Sequence, residues 1–325
     1  MGRAKMWLVS VYSFRDNNEA HLIGMAQRMT EREARTARND AAAANITAID
    51  CHAHVMRRDA PLAPDRHSAP KRDCAVEEFL AVLDRHGISH GVLTAPSFYG
   101  SDNSLLLDAL HRAGGRLRGT VIVDPGIDQA GLAAMGERGA VGIRLNWVRR
   151  STLPDVSTVD YRQLFANVRE LDWHVEIYLE GALLAKILPV IRDSGAKVVI
   201  DHFGSPDPVQ GVACGGFKAV LDGVRAGDTW VKLSAPYRQG GADPRRYVDA
   251  LLDAGGPQQL VWASDWPFVS HEDEVTYRDC MRGLVDWVPN EATRRIILVD
   301  TPAELFGFHR VLDAPCANGF PLSRE

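Results

Sequence analysis

The chain has 325 residues, 46% hydrophobic and 24% charged, enough to bury a large core without disulfides or metals as staples. Its formal net charge is −5, from 37 Lys and Arg against 42 Asp and Glu, which argues against a nucleic-acid binder and leaves room for a basic pocket. No apolar run approaches the ~20 residues of a membrane span. The five cysteines form no close C-x-x-C pair, so free thiols and a cytoplasmic setting are expected.

Residues 1–45 hold seven Lys/Arg and five Asp/Glu and end in four alanines, with no clear apolar face. They read as an N-terminal extension, disordered or packed on the outside, with an upstream start codon or a partner-docking arm as the alternatives. From residue 46 a regular alternation begins. Strands are predicted at 46–55, 88–96, 117–125, 140–147, 173–180, 196–204, 229–236 and 259–267. Helices are predicted between them at 76–87, 103–115, 129–139, 160–172, 182–195, 215–227 and 244–256, many closed by Gly. Helical stretches at 272–288, 290–299 and 301–307 follow the last strand, and 309–325 reads as a tail.

Eight short apolar strands alternating with helices predict a parallel α/β sheet covered by helices. Over about 250 residues this matches a closed (β/α)8 TIM barrel at 46–308. An open doubly wound sheet is the runner-up. No G-x-G-x-x-G follows the first strand, which weakens a dinucleotide-binding version.

In such a barrel the chemistry sits at the C-terminal ends of the strands. The first strand ends Asp50-Cys51-His52-Ala53-His54, and simple alternation puts Asp50, His52 and His54 on one face. Two imidazoles at i, i+2 suit one ion or one substrate oxygen, though H-x-H alone is common. His202 ends the sixth strand. A lone histidine there is usually a satisfied core residue; a third beside H-x-H shifts the balance toward a site. Asp265 ends the eighth strand, next to the first in a closed barrel. It reads as a helix cap or as a general base. Arg144 and Asn146 share a face on the fourth strand. A buried Arg needs an anion, either Glu176 or Glu180 on the fifth strand or a substrate carboxylate. Arg149 and Arg150 follow in the loop, where a solvated charge is the plainer reading. Tyr178, Arg238 and the small polar run from Ser97 to Ser101 complete the strand-end set.

The segments IDCHAHV, GSDN, GIRLNWVRR, WHVEIYLE, VVIDHFGSPD, KLSAPYR and WASDWP, in that order over roughly 46–308, resemble the amidohydrolase superfamily. Within it they are most similar to the branch of lactonases acting on pyrone dicarboxylates. The resemblance implies hydrolysis of a small anionic lactone in aromatic-compound degradation. It implies Asp265 as the base that activates water, and His52, His54 and His202 around the lactone carbonyl. It implies Arg144, Arg150 and Arg238 on the substrate carboxylates, with Tyr178 and Ser97 in the pocket. Many relatives carry a carboxylated Lys on the fourth strand and a His on the fifth. Here those strand ends carry Arg144, Asn146 and Tyr178, so a two-metal site is not expected. The resemblance implies no required cofactor; a single Zn²⁺ or Mn²⁺ on His52, His54 and Asp265 is the alternative. The rival activities are a metal-dependent sugar-acid lactonase, a non-oxidative decarboxylase, and a barrel that binds an anion without turnover.

Overall fold

The computed structural model describes residues 46–64 and 66–308. The predicted extension at 1–45 and the tail at 309–325 lie outside the described residues.

Eight strands form one sheet in sequence order: β1 (Ile49–Ala53), β2 (His90–Thr94), β3 (Leu117–Val121), β4 (Ala140–Asn146), β5 (His174–Tyr178), β6 (Lys197–Ile200), β7 (Thr229–Leu233) and β8 (Leu260–Trp262). Every neighbouring pair is parallel. The ring closes past β8: Asp265 N donates to His52 O at 3.0 Å, and His54 N donates to Trp266 O at 2.9 Å. This is the (β/α)8 barrel expected from the alternation.

The crossovers carry α1 (Val76–Arg85), α2 (Ser104–Arg112), α3 (Gln129–Glu137), α4 (Val159–Glu170), α5 (Gly181–Asp193), α6 (Gly215–Ala226) and α7 (Pro244–Gly255). After β8 come α8 (Tyr277–Trp287), α9 (Glu291–Arg295), a wider π turn (Ile296–Asp300) and α10 (Thr301–Leu305). The helix expected from 272 starts at Tyr277, where Thr276 and Asp279 form a reciprocal capping box. None of the described helices is long and apolar enough to cross a membrane.

Two apolar layers follow from strand alternation. Leu93, Ile143, Val198, Ile200 and Trp262 pack outward against helix residues such as Phe79, Leu106, Phe165 and Leu184. Ile49, Cys51, Val92, Val199 and Val261 face inward and are closed off by Phe306 and Phe308 after the last helix. Cys51, Cys74, Cys214 and Cys280 are buried free thiols, as expected; Cys316 lies outside the described residues.

Candidate active site

β1 carries one more residue than regular pairing allows. Asp50 pairs with Gly91 but Ala53 pairs with Leu93, three residues against two. This bulge shifts the alternation, so Cys51 and His52 both turn inward and His54 follows. It corrects the expectation that Asp50 shares their face. Asp50 points outward instead, accepting from Ser264 N at 2.9 Å, Ser264 Oγ at 2.6 Å and Tyr277 Oη at 2.9 Å. It ties β1 to the end of β8 and to α8. Burial raises its pKa against these hydrogen bonds.

β8 is shorter than expected, ending at Trp262. Ser264 is drawn outward by Asp50, and Asp265 takes a left-handed backbone conformation, φ +66°. The chain thus turns Asp265 over the barrel mouth. Its two oxygens meet different surroundings. Oδ2 accepts from Tyr237 Oη at 2.7 Å and from Arg238 Nε at 2.8 Å, and Arg238 Nη2 stands in ion-pair contact at 2.8 Å. Oδ1 stands 3.6 Å from His52 Nε2 and 3.9 Å from the Nε2 atoms of both His54 and His202. Burial alone would raise its pKa, but Arg238 and the three histidines together outweigh it and hold the carboxyl well below the usual range.

The three histidines differ in their outer partners. His54 Nδ1 lies 2.7 Å from Thr94 O, a pure acceptor, so Nδ1 carries the proton and Nε2 presents a lone pair. His202 Nδ1 lies 2.8 Å from Ser234 Oγ. With the hydroxyl donating, Nε2–H faces the Asp265 anion. Burial lowers both imidazoles to about 3, so both are neutral at pH 7. His52 is fully buried behind them, with Nε2 3.3 Å from His54 Nε2.

Beneath His52 lies a buried charged floor. Lys232 Nζ donates to Glu176 Oε2 at 2.6 Å and reaches His52 Nδ1 at 3.0 Å and Asp201 Oδ1 at 3.2 Å. Arg144 reaches Glu176 Oε1 at 3.2 Å, Asp201 Oδ2 at 2.8 Å and Ala95 O at 3.0 Å. Two cations thus face two carboxylates, none more than 3% exposed. Burial and Asp201 push the Glu176 pKa up, and Lys232 leads the opposing interactions that bring it down to about 2.

Above the floor opens a cavity of about 700 Å³, mouth included, whose wall carries His54, Ser97, Arg144, Tyr178, His202, Arg238 and Asp265. Eight of the nine expected site residues therefore sit in or directly behind this cavity. Arg150 does not line it; Arg149 does, together with His67 and His271. The arginines also differ from the simple expectation. Arg144 is engaged by Glu176 and Asp201, and Arg238 by Asp265. Tyr178 stacks edge-on against His202, ring centroids 4.8 Å apart. Ser97 Oγ lies 3.4 Å from His67 Nε2.

Sequence reasoning passed over Lys232, Asp201 and Tyr237. The first had a signal: a Lys inside the apolar strand TWVKL can survive only with buried anions around it.

His52, His54 and Asp265 bring ligand-type atoms within 4.8 Å of one another, as do His52, Asp201 and His202. The spacing admits an ion; the hydrogen-bond partners oppose it. An ammonium stands against His52 Nδ1 and Asp201 Oδ1. That arrangement leaves a proton, not a lone pair, on His52 Nε2. The residues as placed do not fit a metal.

A parallel (β/α)8 barrel carrying H-x-H on β1, His after β6 and Asp after β8 defines an amidohydrolase-type site. The chain belongs to the amidohydrolase family, whose model matches residues 49–308. It is 30% identical to a 4-sulfomuconolactone hydrolase of Hydrogenophaga intermedia, over 79% of this chain and 88% of that protein. It is 29% identical to a 2-pyrone-4,6-dicarboxylate hydrolase of Comamonas testosteroni, over 80% and 90%. A probable 2-pyrone-4,6-dicarboxylic acid hydrolase of Acinetobacter baumannii, solved with citric acid bound, superposes with TM-score 0.77 at 32% identity, over 81% of this chain and all of that one. Barrels solved with zinc and with manganese are 20% and 16% identical, and the likeness there is of fold alone.

Proposed function

We propose that this protein hydrolyses a small lactone bearing acid groups, of the pyrone dicarboxylate or sulfomuconolactone class, with Asp265 activating the water. The observation that carries this reading is the split environment of Asp265. One oxygen is pinned and neutralised by Arg238 and Tyr237, while the other faces an open space ringed by imidazoles. Both relatives described above open carboxyl- or sulfo-substituted lactones, and one neighbour holds a tricarboxylic acid.

In this reading the acid groups of the substrate lie toward Arg149 and the cationic wall, with Tyr178 and Ser97 beside the ring. Fixing both ends supplies orientation. The lactone carbonyl approaches the N–H group of His202, which stabilises the oxyanion as water adds, while His52 stands behind the wall. Asp265 Oδ1 accepts the proton of that water. Collapse of the tetrahedral intermediate breaks the ring C–O bond, and the proton returns from Asp265 to the leaving oxygen. Two hydrogens and one oxygen are gained, and no electrons change hands. His54, with Nδ1–H committed to Thr94 O, is an acceptor here and not a donor.

The test is hydrolysis of 2-pyrone-4,6-dicarboxylate and a panel of carboxylated, sulfonated and sugar-acid lactones, before and after chelation, with metal analysis of the same sample. Turnover of an acid-substituted pyrone or muconolactone that survives chelation supports the reading. Turnover only of sugar-acid lactones, loss of carbon dioxide, or binding without product overturns it.

A further inference from the structure

The floor residue Lys232 lies outside the cavity wall, yet it touches the β1 histidine that the site depends on. We propose that Lys232 is a positioning residue that fixes the tautomer of His52. It converts the His52–His54 pair into a one-way hydrogen-bond relay, in place of two lone pairs converging on a cation.

The relay is fixed from its far end. Thr94 O can only accept, so His54 holds its proton on Nδ1 and offers a lone pair at Nε2. His52 Nε2 lies 3.3 Å from that lone pair. A second lone pair there would repel; an N–H there makes a hydrogen bond. His52 therefore carries its proton on Nε2, and its Nδ1 must accept. The donor at Nδ1 is Lys232 Nζ, 3.0 Å away, an ammonium with three N–H groups and no lone pair. The relay reads Lys232 Nζ–H to His52 Nδ1, His52 Nε2–H to His54 Nε2, and His54 Nδ1–H to Thr94 O.

Three contacts would favour the opposite tautomer, and all are poorer; the longest is Glu176 Oε1, 3.7 Å from His52 Nδ1. Asp201 Oδ1 lies 3.2 Å from His52 Nδ1 but receives no aligned hydrogen bond. Arg144 Nη2 lies 3.5 Å from His52 Nε2, while its better contact is Asp201 Oδ2 at 2.8 Å. Removing Lys232 would leave Asp201 as the strongest partner of Nδ1. His52 would then turn its proton toward Asp201 and its lone pair toward His54 and Asp265. Ligating histidines in metal sites commonly hold their outer N–H on a carboxylate in this way. On this view one floor cation decides whether the pair donates hydrogen bonds or binds a divalent ion, whichever lactone is turned over.

The test uses the full chain labelled with ¹⁵N-histidine. Long-range ¹H–¹⁵N spectra report which ring nitrogen is protonated, and the His52 signals are those lost in His52→Gln. In the unsubstituted protein His52 is expected as the Nε2–H tautomer, a result that does not depend on any Lys232 variant folding. Finding Nδ1–H there overturns the proposal. In Lys232→Met, checked for folding by circular dichroism, His52 is expected to switch to Nδ1–H. Co²⁺ or Zn²⁺ retention on dialysis is expected to tighten about 10–100-fold, the scale of outer-partner effects on metal sites. A folded Lys232→Met protein with an unchanged His52 tautomer shows that Lys232 is only a charge partner of Glu176, and overturns the assignment.

Discussion

Replacing Asp265 by Asn is the sharpest test of the reaction we propose. The substitution keeps the side-chain volume and removes the charge. Oδ1 loses its ability to take a proton from water, and general-base assistance is worth about 10²–10⁴ in rate. Oδ2 loses two charge-assisted hydrogen bonds, from Tyr237 Oη and Arg238 Nε, and the ion pair with Arg238 Nη2. The guanidinium then stands largely buried beside a neutral amide, a change that costs roughly 3–5 kcal/mol in other buried pairs. We expect kcat to fall about 10³–10⁴-fold, some 4–5.5 kcal/mol at 1.36 kcal/mol per decade. Binding of an unreactive tricarboxylate such as citrate should persist, since Arg238 is freed. The assay is the loss of pyrone absorbance under saturating substrate, with citrate titrated by calorimetry and folding checked by thermal melting. A folded Asp265→Asn protein within tenfold of normal kcat would refute Asp265 as the base.

Three further outcomes are expected. Arg149→Ala should raise KM about tenfold or more, the loss of a charged hydrogen bond worth about 1.5–3 kcal/mol, while Arg150→Ala stays within about twofold; steady-state kinetics would show the reverse if Arg150 were the substrate contact. Gly142→Ala would place a methyl 2.3 Å from the His174 ring, so chemical denaturation should show a loss of about 1–3 kcal/mol or failure to fold. His54 and His202 titrate at about 3 when folded and at about 6.5 when unfolded, so between those values the unfolded chain binds more protons and stability falls as pH falls. At pH 5 each histidine accounts for about 2 kcal/mol of that loss, and urea midpoints that stay flat from pH 7 to 5 would contradict buried neutral histidines.

The barrel was readable because its signals are local and repeated: an apolar strand eight times over, with most of the helices between them ended by Gly. His52, His54, His202 and Asp265 could be found for a similar reason. Each is a polar residue at the end of an apolar strand, and strand ends are where this fold gathers side chains. What escaped were the properties set by single backbone departures and by partners distant in sequence. One extra residue in β1 sends Asp50 to the outside, and no period-2 reading can register it. The left-handed turn at Asp265 shortens β8. The choice between Arg149 and Arg150 depends on loop geometry that neighbouring arginines do not encode. The histidines look alike in sequence but differ through Thr94, Lys232 and Ser234, which are 40, 180 and 32 residues away from their partners.

The buried floor of Arg144, Lys232, Glu176 and Asp201 also constrains how this protein can diverge. Any single replacement there leaves an unbalanced charge, at a cost near a third to a half of the total stability of an ordinary domain. A lineage crosses that gap only by paired replacement or after accumulating surplus stability elsewhere. The rim residues Ser97, Arg149, His67 and His271 sit on turns and loops where one change at a time is tolerated. Substrate preference is therefore free to drift among descendants of this chain, while the floor stays frozen and its composition marks common ancestry better than the rim does.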